Sequence, residues 1–146
     1  MQLKILNTEL LSQVDPTFNI SVEDIRNGYY KLFEKYSLGN VNIVFVKSEY
    51  IRDLNKRFRD IDASTDVLSF KISKEGSDVD IYICPEYSFD LLGSEKFEEE
   101  ILRLIIHGTL HILGYDHRES LNESPNEQMF VEQEELLLKY KKICSS

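Results

Sequence analysis

The histidines of this chain are the residues whose types and spacing most directly suggest chemistry. All three, His107, His111 and His117, lie between positions 107 and 117. Residues four apart on a helix share one face, so His107 and His111 can direct two imidazoles at one ion. Gly114 can adopt a positive φ after the last helical turn, and the tight return that follows can bring His117 to the same ion. Three imidazoles with an open fourth position are typical of catalytic zinc, so we expect one zinc ion per chain.

The elements that must position these histidines are predicted from periodicity and capping signals. A long helix is predicted from Gly93-Ser94 to Gly114, with an acidic first turn. Strand patterns cover residues 2–7, 41–46, 67–72 and 80–84, and further helices are predicted over 21–39, from Ser48 and from Ser124. This order predicts an α+β fold, with a small mixed β-sheet packed by several helices and the zinc-binding helix over the sheet. The length of 146 residues predicts a single domain, 1–146.

Composition narrows the function classes. The chain has 17 Lys and Arg against 26 Asp and Glu, a net charge of −9. Such a chain does not attract polyanions in general, so any nucleic-acid role must use a local basic patch. Two cysteines without a C-x-x-C motif indicate a reducing compartment, and no apolar stretch is long enough for a signal peptide or a membrane span. We therefore expect a cytoplasmic protein.

The spacing H-x-x-x-H-x-x-G-x-x-H is also similar to the zinc-binding helix of metzincin peptidases, which makes a metallopeptidase the natural alternative. In those enzymes a Glu follows the first His and acts as general base. Here that position is Gly108. Met129 is interpreted as a core methionine of the last helix rather than a Met-turn. The missing Glu argues against peptide hydrolysis.

A second polar constellation precedes the histidines. The segment L-N-K-R-F-R-D runs from Leu54 to Asp60, and T-D-V-L-S-F follows at Thr65 to Phe70. Together with D-I-Y-I-C-P-E at Asp80 to Glu86 and H-G-T-L-H-I-L-G-Y-D-H at His107 to His117, these motifs resemble the YbeY family. Its members are bacterial single-domain endoribonucleases of ribosomal RNA maturation and ribosome quality control. The resemblance runs in register from about Val41 to Leu138.

The resemblance implies roles for six residues. His107, His111 and His117 would bind zinc, and Arg59 would be the catalytic cation beside it. Phosphodiester cleavage adds negative charge to the phosphoryl oxygens, and a planar guanidinium can hold two of them. Lys56 and Arg57 would follow the RNA backbone or contact a ribosomal partner.

The function expected from the resemblance is a zinc-dependent endoribonuclease. It would act on single-stranded ribosomal RNA, in maturation of the small-subunit 3′ end and in ribosome quality control. Partners would be ribosomal RNA, the small subunit and ribosomal or assembly proteins, with no membrane. No general base is visible, so water and the ribose 2′-hydroxyl both stand as nucleophiles. A non-catalytic ribosome assembly factor with structural zinc is a second alternative, and the acidic net charge favours recruitment by a protein partner.

Overall fold

The computed structural model describes residues 1–74, 77–114 and 125–145. Four strands and six helices fall within these residues. In chain order they are β1 (Gln2–Leu6), α1 (Glu9–Val14), α2 (Val22–Phe33), β2 (Asn40–Phe45), α3 (Ser48–Arg59), β3 (Val67–Lys71), β4 (Val79–Ile83), α4 (Pro85–Leu92), α5 (Ser94–Ile112) and α6 (Pro125–Cys144).

The strands form one mixed sheet in the order β1-β2-β4-β3. β1 and β2 are parallel, as are β2 and β4, whereas β3 runs antiparallel to β4. The connection from β3 to β4 is therefore a hairpin, and it places β3 at one edge of the sheet. This architecture confirms the predicted α+β fold with a small mixed sheet.

The two faces of the sheet pack against different helices. Alternate residues of the strands point to the main core, which also contains the apolar faces of α2, α5 and α6. The strand residues in that core are Leu3, Val41, Ile43, Phe45, Val79, Ile81 and Ile83. On the opposite face, Leu68 and Cys84 pack against Ile51 and Leu54 of α3 in a smaller cluster. The sheet thus separates α5 from α3.

Gly108 allows α5 to lie close to the sheet. A Cβ atom at this position would stand 2.8 Å from Cγ2 of Ile81 and 3.4 Å from Cγ2 of Val67. Because no side chain larger than hydrogen fits that gap, α5 rests directly on β3 and β4. The zinc helix of the sequence prediction therefore lies over the sheet, beside its β3 edge.

Two predicted helix boundaries were wrong. Helix α2 ends at Phe33 rather than near Gly39. Gly39 instead lies against the segment before β4, where a Cβ would meet the Asp78 carboxylate at 2.5 Å. Ser48 is the first residue of α3 and not its cap, and its N–H donates to Glu86 Oε1 at 3.1 Å. The predicted capping residue Ser124 lies outside the described residues.

Helices α1 and α4 were not predicted. They have only 6 and 8 residues, too few to show a helical repeat, and neither has a side-chain capping hydrogen bond. Both follow a strand closely, and the proline at the first position of α4, Pro85, suits a turn as well as a helix start. Among the described helices, none is long and apolar enough to cross a membrane.

Candidate functional site

A cavity of about 430 Å³ opens along the β3 edge of the sheet. Three elements enclose it: α5 from one face of the sheet, the C-terminal end of α3 from the other, and β3 between them. Its lining residues are Arg59, Val67, Leu68, Ser69, Phe70, His107 and His111. The cavity therefore brings two predicted zinc ligands and the predicted catalytic arginine together, although they come from opposite faces of the sheet.

Helix α5 presents His107 and His111 one turn apart on the face that borders the cavity. The helix ends at Ile112, and Gly114 follows with φ +87° and its N–H donating to the His111 carbonyl at 3.1 Å. Glycine adopts this left-handed conformation without strain, so the chain can turn back here. The third predicted ligand, His117, lies outside the described residues.

Gln133 of α6 determines which nitrogen of His107 faces the cavity. Its amide oxygen lies 2.8 Å from His107 Nδ1, and its amide nitrogen donates to Glu134 Oε2 at 3.1 Å. Because the Glu134 carboxylate can only accept a hydrogen bond, the NH2 group of Gln133 must face Glu134. The amide oxygen of Gln133 is therefore the atom that faces His107. Nδ1 then carries the hydrogen, and Nε2 presents its lone pair, which is the form that binds a metal.

An ion-pair network behind Gln133 holds Glu134 in place. Arg103 of α5 donates two hydrogen bonds of 3.0 Å to the two oxygens of Glu134, and another of 2.8 Å to Glu100. The hydrogen bond from Arg103 is the main cause that lowers the pKa of Glu134, and Glu134 in turn raises the pKa of Arg103. Glu134 is therefore an anion at neutral pH, and it accepts from the amide of Gln133.

The donor set of the cavity fits zinc. Neutral imidazole nitrogen is a preferred zinc ligand, and a hydrogen bond at the other ring nitrogen is the usual support for it. Within residues 1–74, 77–114 and 125–145 there is no group of three or more His, Cys, Asp or Glu side chains that could hold a metal ion. A complete site thus needs a ligand from outside these ranges, and His117 is the predicted one.

Arg59 reaches the cavity because α3 ends at this residue. Asp60 follows in the left-handed conformation, with φ 58°, and its N–H closes the last turn at the Lys56 carbonyl. The next segment folds back on the helix, where Asn55 Nδ2 donates to the Ala63 carbonyl at 2.9 Å. Arg59 therefore lies beside β3, positioned by the end of α3 and by the segment that folds back on that helix.

Lys56 and Arg57, the two other predicted RNA contacts, are exposed on α3 and do not line the cavity. Arg57 lies 3.5 Å from Asp53 and places its guanidinium carbon 5.8 Å from the centre of the Phe58 ring. Both residues therefore border the outer surface near Arg59 rather than the site itself.

Two cavity features were missed by the sequence interpretation. Phe70 was assigned only to a strand and to the T-D-V-L-S-F motif, and Gln133 was assigned no role. For Gln133 the sequence carries no signal, because its burial, at 7% exposed, and its contact with His107 depend on the packing of α6 against α5. For Phe70 no signal existed, because an aromatic residue in a strand is ordinarily core.

The chain is similar to known proteins over most of its length. The profile of the family described as "Endoribonuclease YbeY" matches residues 6–141. An "Endoribonuclease YbeY" of Shouchella clausii is 36% identical over 136 residues, covering 82% of this chain and 83% of its own. One from Treponema denticola is 36% identical over 144 residues, covering 87% and 88%. A solution structure of a Thermotoga maritima protein superposes with a TM-score of 0.63 at 28% identity, over 95% of this chain and 89% of that one.

The fold, the cavity and these relatives define a class, that of small α+β endoribonucleases. Within that class the chain belongs to the YbeY family. The family resemblance and the nuclease class predicted from the motifs are thereby confirmed.

Proposed function

We propose that this chain is a zinc-dependent endoribonuclease that cleaves single-stranded segments of ribosomal RNA. The cellular setting would be maturation of the small-subunit 3′ end and ribosome quality control, in the cytoplasm, with the small subunit and its proteins as partners. The observation that carries the proposal is the shared cavity of Arg59, His107 and His111. Membership of the endoribonuclease YbeY family supports it.

His107, His111 and His117 would hold the metal. When bound, zinc supplies Lewis-acid chemistry, polarising a phosphoryl oxygen and lowering the pKa of water at its open position. Gln133 keeps His107 in the tautomer that this role requires. Arg59 places a permanent positive charge at the opposite wall of the cavity, where it can donate two parallel hydrogen bonds to phosphoryl oxygens. Charge that develops there in the transition state is stabilised without reorganising the protein.

Water is the favoured nucleophile. The described lining of the cavity contains no carboxylate, so it offers no acidic side chain to deprotonate a ribose 2′-hydroxyl. A hydrolytic route leaves a 5′-phosphate on one fragment and does not need the 2′-hydroxyl, whereas attack by the ribose leaves a 2′,3′-cyclic phosphate.

The peptidase alternative is disfavoured by packing as well as by sequence. Gly108 stands where the peptidases carry their glutamate, and a Cβ atom at this position would press against Ile81 and Val67 of the sheet. A glutamate at this position would be forced into the sheet contact. This chain therefore offers no place for that general base on α5.

The proposal is tested with purified protein and a short single-stranded RNA. We expect about one zinc per chain by plasma emission spectroscopy, and its loss in His111→Ala. Arg59→Ala is expected to retain zinc but to cleave on the order of 10²- to 10³-fold more slowly, the usual scale for one charge-stabilising donor. Lys31→Ala is the control, because it removes an exposed cation of α2 that does not line the cavity.

The products distinguish the routes. A single 2′-deoxy substitution at the scissile nucleotide should leave cleavage intact, with 5′-phosphate ends by mass spectrometry. Blocked cleavage with cyclic ends would refute the hydrolytic route. An Arg59→Ala variant with wild-type cleavage, or a wild-type protein without zinc, would refute the proposed site. Cellular function retained in a folded, zinc-loaded Arg59→Ala variant would instead favour the non-catalytic assembly factor.

A further inference from the structure

Four aromatic side chains form a continuous row beside the cavity. Phe58 and Tyr50 come from α3, and Phe70 and Tyr82 come from β3 and β4. Ring centres are 5.1 Å apart for Phe58 and Phe70, 6.0 Å for Phe70 and Tyr82, and 6.1 Å for Tyr82 and Tyr50. Phe70, which lies between Phe58 and Tyr82 in this aromatic row, also lines the cavity. The row is therefore continuous with the site and extends from it across the outer face of the sheet.

The two ends of the aromatic row are open to solvent. Phe58 is 62% exposed and Tyr50 is 53% exposed, although Phe58 follows the buried residues Ile51 and Leu54 at helical spacing. Phe58 contacts the Phe70 ring at an interplanar angle of 53° and leaves most of its surface in water. Burial, followed by the neighbouring Asp80 carboxylate, raises the pKa of Tyr82 to about 12, so the Tyr82 phenol is uncharged at neutral pH.

Cations border the aromatic row on α3, in a chain that is otherwise acidic. The helix carries four basic side chains, Arg52, Lys56, Arg57 and Arg59, against two acidic ones, Glu49 and Asp53. Arg52 forms an ion pair with Asp62 at 2.8 Å, and both side chains are more than half exposed, so water screens the pair. The Arg57 guanidinium carbon lies 5.8 Å from the centre of the Phe58 ring. Exposed rings interleaved with cations are the combination that binds single-stranded nucleic acid, because rings stack on bases while cations meet phosphates.

We propose that the aromatic row is a base-stacking platform for the single RNA strand that enters the cavity. This inference rests on the proposed function and assigns the path of its substrate. Phe58 would stack on the base next to the phosphate held at Arg59, and Tyr50 on a base further along. Tyr50 and Phe58 are eight residues apart, about 12 Å along a helix. That length suits roughly three nucleotides at the about 3.4 Å rise of a stacked strand.

Single-stranded RNA fits this surface better than a protein partner does. An apolar protein surface would gain nothing from the bordering cations and would not need continuity with the cavity. A duplex would not use the rings, since its base faces are already covered by stacking. The platform thus accounts for a single-strand preference in the proposed activity.

Stacking can be read directly, because the chain contains no tryptophan. Phe58→Trp introduces one fluorophore into the aromatic row, and Leu138→Trp places the same fluorophore at a 63% exposed position of α6 as the matched control. Each protein is mixed with hexauridylate in a stopped-flow instrument, so that quenching is read before cleavage accumulates. We expect quenching at position 58 by hexauridylate, none by an abasic hexamer of the same charge, and none at position 138.

Affinity provides the second measurement. Phe58→Ala should weaken hexauridylate binding roughly 5- to 150-fold, the range expected when one base–aromatic stack is lost, while zinc content and abasic-hexamer binding stay unchanged. Phe58→Tyr should restore binding. The proposed stacking platform would be refuted if hexauridylate left the fluorescence of the Phe58→Trp variant unchanged. It would also be refuted if Phe58→Ala weakened binding of the abasic hexamer as much as binding of hexauridylate. Quenching without any cleavage would refute the proposed nuclease activity but support the stacking platform. Cleavage without quenching would support the nuclease activity but refute the platform.

Discussion

The contact between Gln133 and His107 gives the most direct test of how this fold orients a proposed metal ligand. The perturbation is Gln133→Leu, which keeps a buried side chain of similar volume but removes the amide. In the wild-type protein the 2.8 Å contact to Nδ1 and the 3.1 Å hydrogen bond to Glu134 together specify one tautomer of His107. The variant leaves Nδ1 without this acceptor, so the ring is free to change tautomer and to rotate.

The size of the effect follows from the structure. A neutral hydrogen bond contributes about 0.5–1.5 kcal/mol, which alone corresponds to roughly a 2- to 12-fold change in affinity. The lost orientation of the ring adds to this, and removal of such supporting partners typically costs about 10- to 100-fold in metal affinity. We therefore expect Gln133→Leu to bind zinc about 10- to 100-fold more weakly than the wild-type protein.

Zinc affinity is measured by competition with a chromophoric chelator. Gln128→Leu is the matched control, since Gln128 lies on the same helix, whereas the amide that meets His107 is that of Gln133. Long-range ¹⁵N–¹H spectra of the metal-free protein report the tautomer of His107 independently of activity. Unchanged zinc affinity in Gln133→Leu, together with an unchanged His107 tautomer, would refute the reasoning.

Three further changes test the packing that supports the site. Gly108→Glu should lower the free energy of unfolding by about 3 kcal/mol or more, because it overpacks a 2.8 Å gap and buries a carboxylate; a urea titration checks this, and wild-type stability would contradict it. Gly28→Ala should lower the free energy of unfolding by about 1 kcal/mol in the same assay, because its Cβ would lie 2.5 Å from Tyr140 and overpacking outweighs the gain in helix propensity. A more stable variant would show that α2 and α6 move apart enough to accept the methyl group. Hydrogen bonds, chiefly from Thr17, lower the pKa of Asp15 below its usual 3.8, so they stabilise the fold above that pH and the contribution is lost as pH falls through the lowered value. Thermal melts should accordingly show Asp15→Asn less stable at pH 7, with a difference that narrows below about pH 4; a constant difference would contradict this.

Much of the candidate site could be predicted from the sequence because its signals are local. The four-residue spacing of His107 and His111 requires only an α-helix to place both imidazoles on one face. Gly114 ends that helix through its own backbone freedom, and it adopts the expected positive φ. The periods of 2 and 3.6 residues likewise depend on local geometry, so all four strands and the long helices were predicted.

Only the tertiary structure decided which distant residues meet at the site. Arg59 and His107 come from helices on opposite faces of the sheet, and they share a cavity because β3 is the edge strand. Glu86 accepts a hydrogen bond from the first N–H of α3, 38 residues earlier in the chain, and Gln133 orients His107, 26 residues earlier. No local sequence pattern encodes contacts over such separations. Phe58 follows the helical repeat of the buried face yet remains exposed, because helix packing and not periodicity determines which side chains lose contact with water.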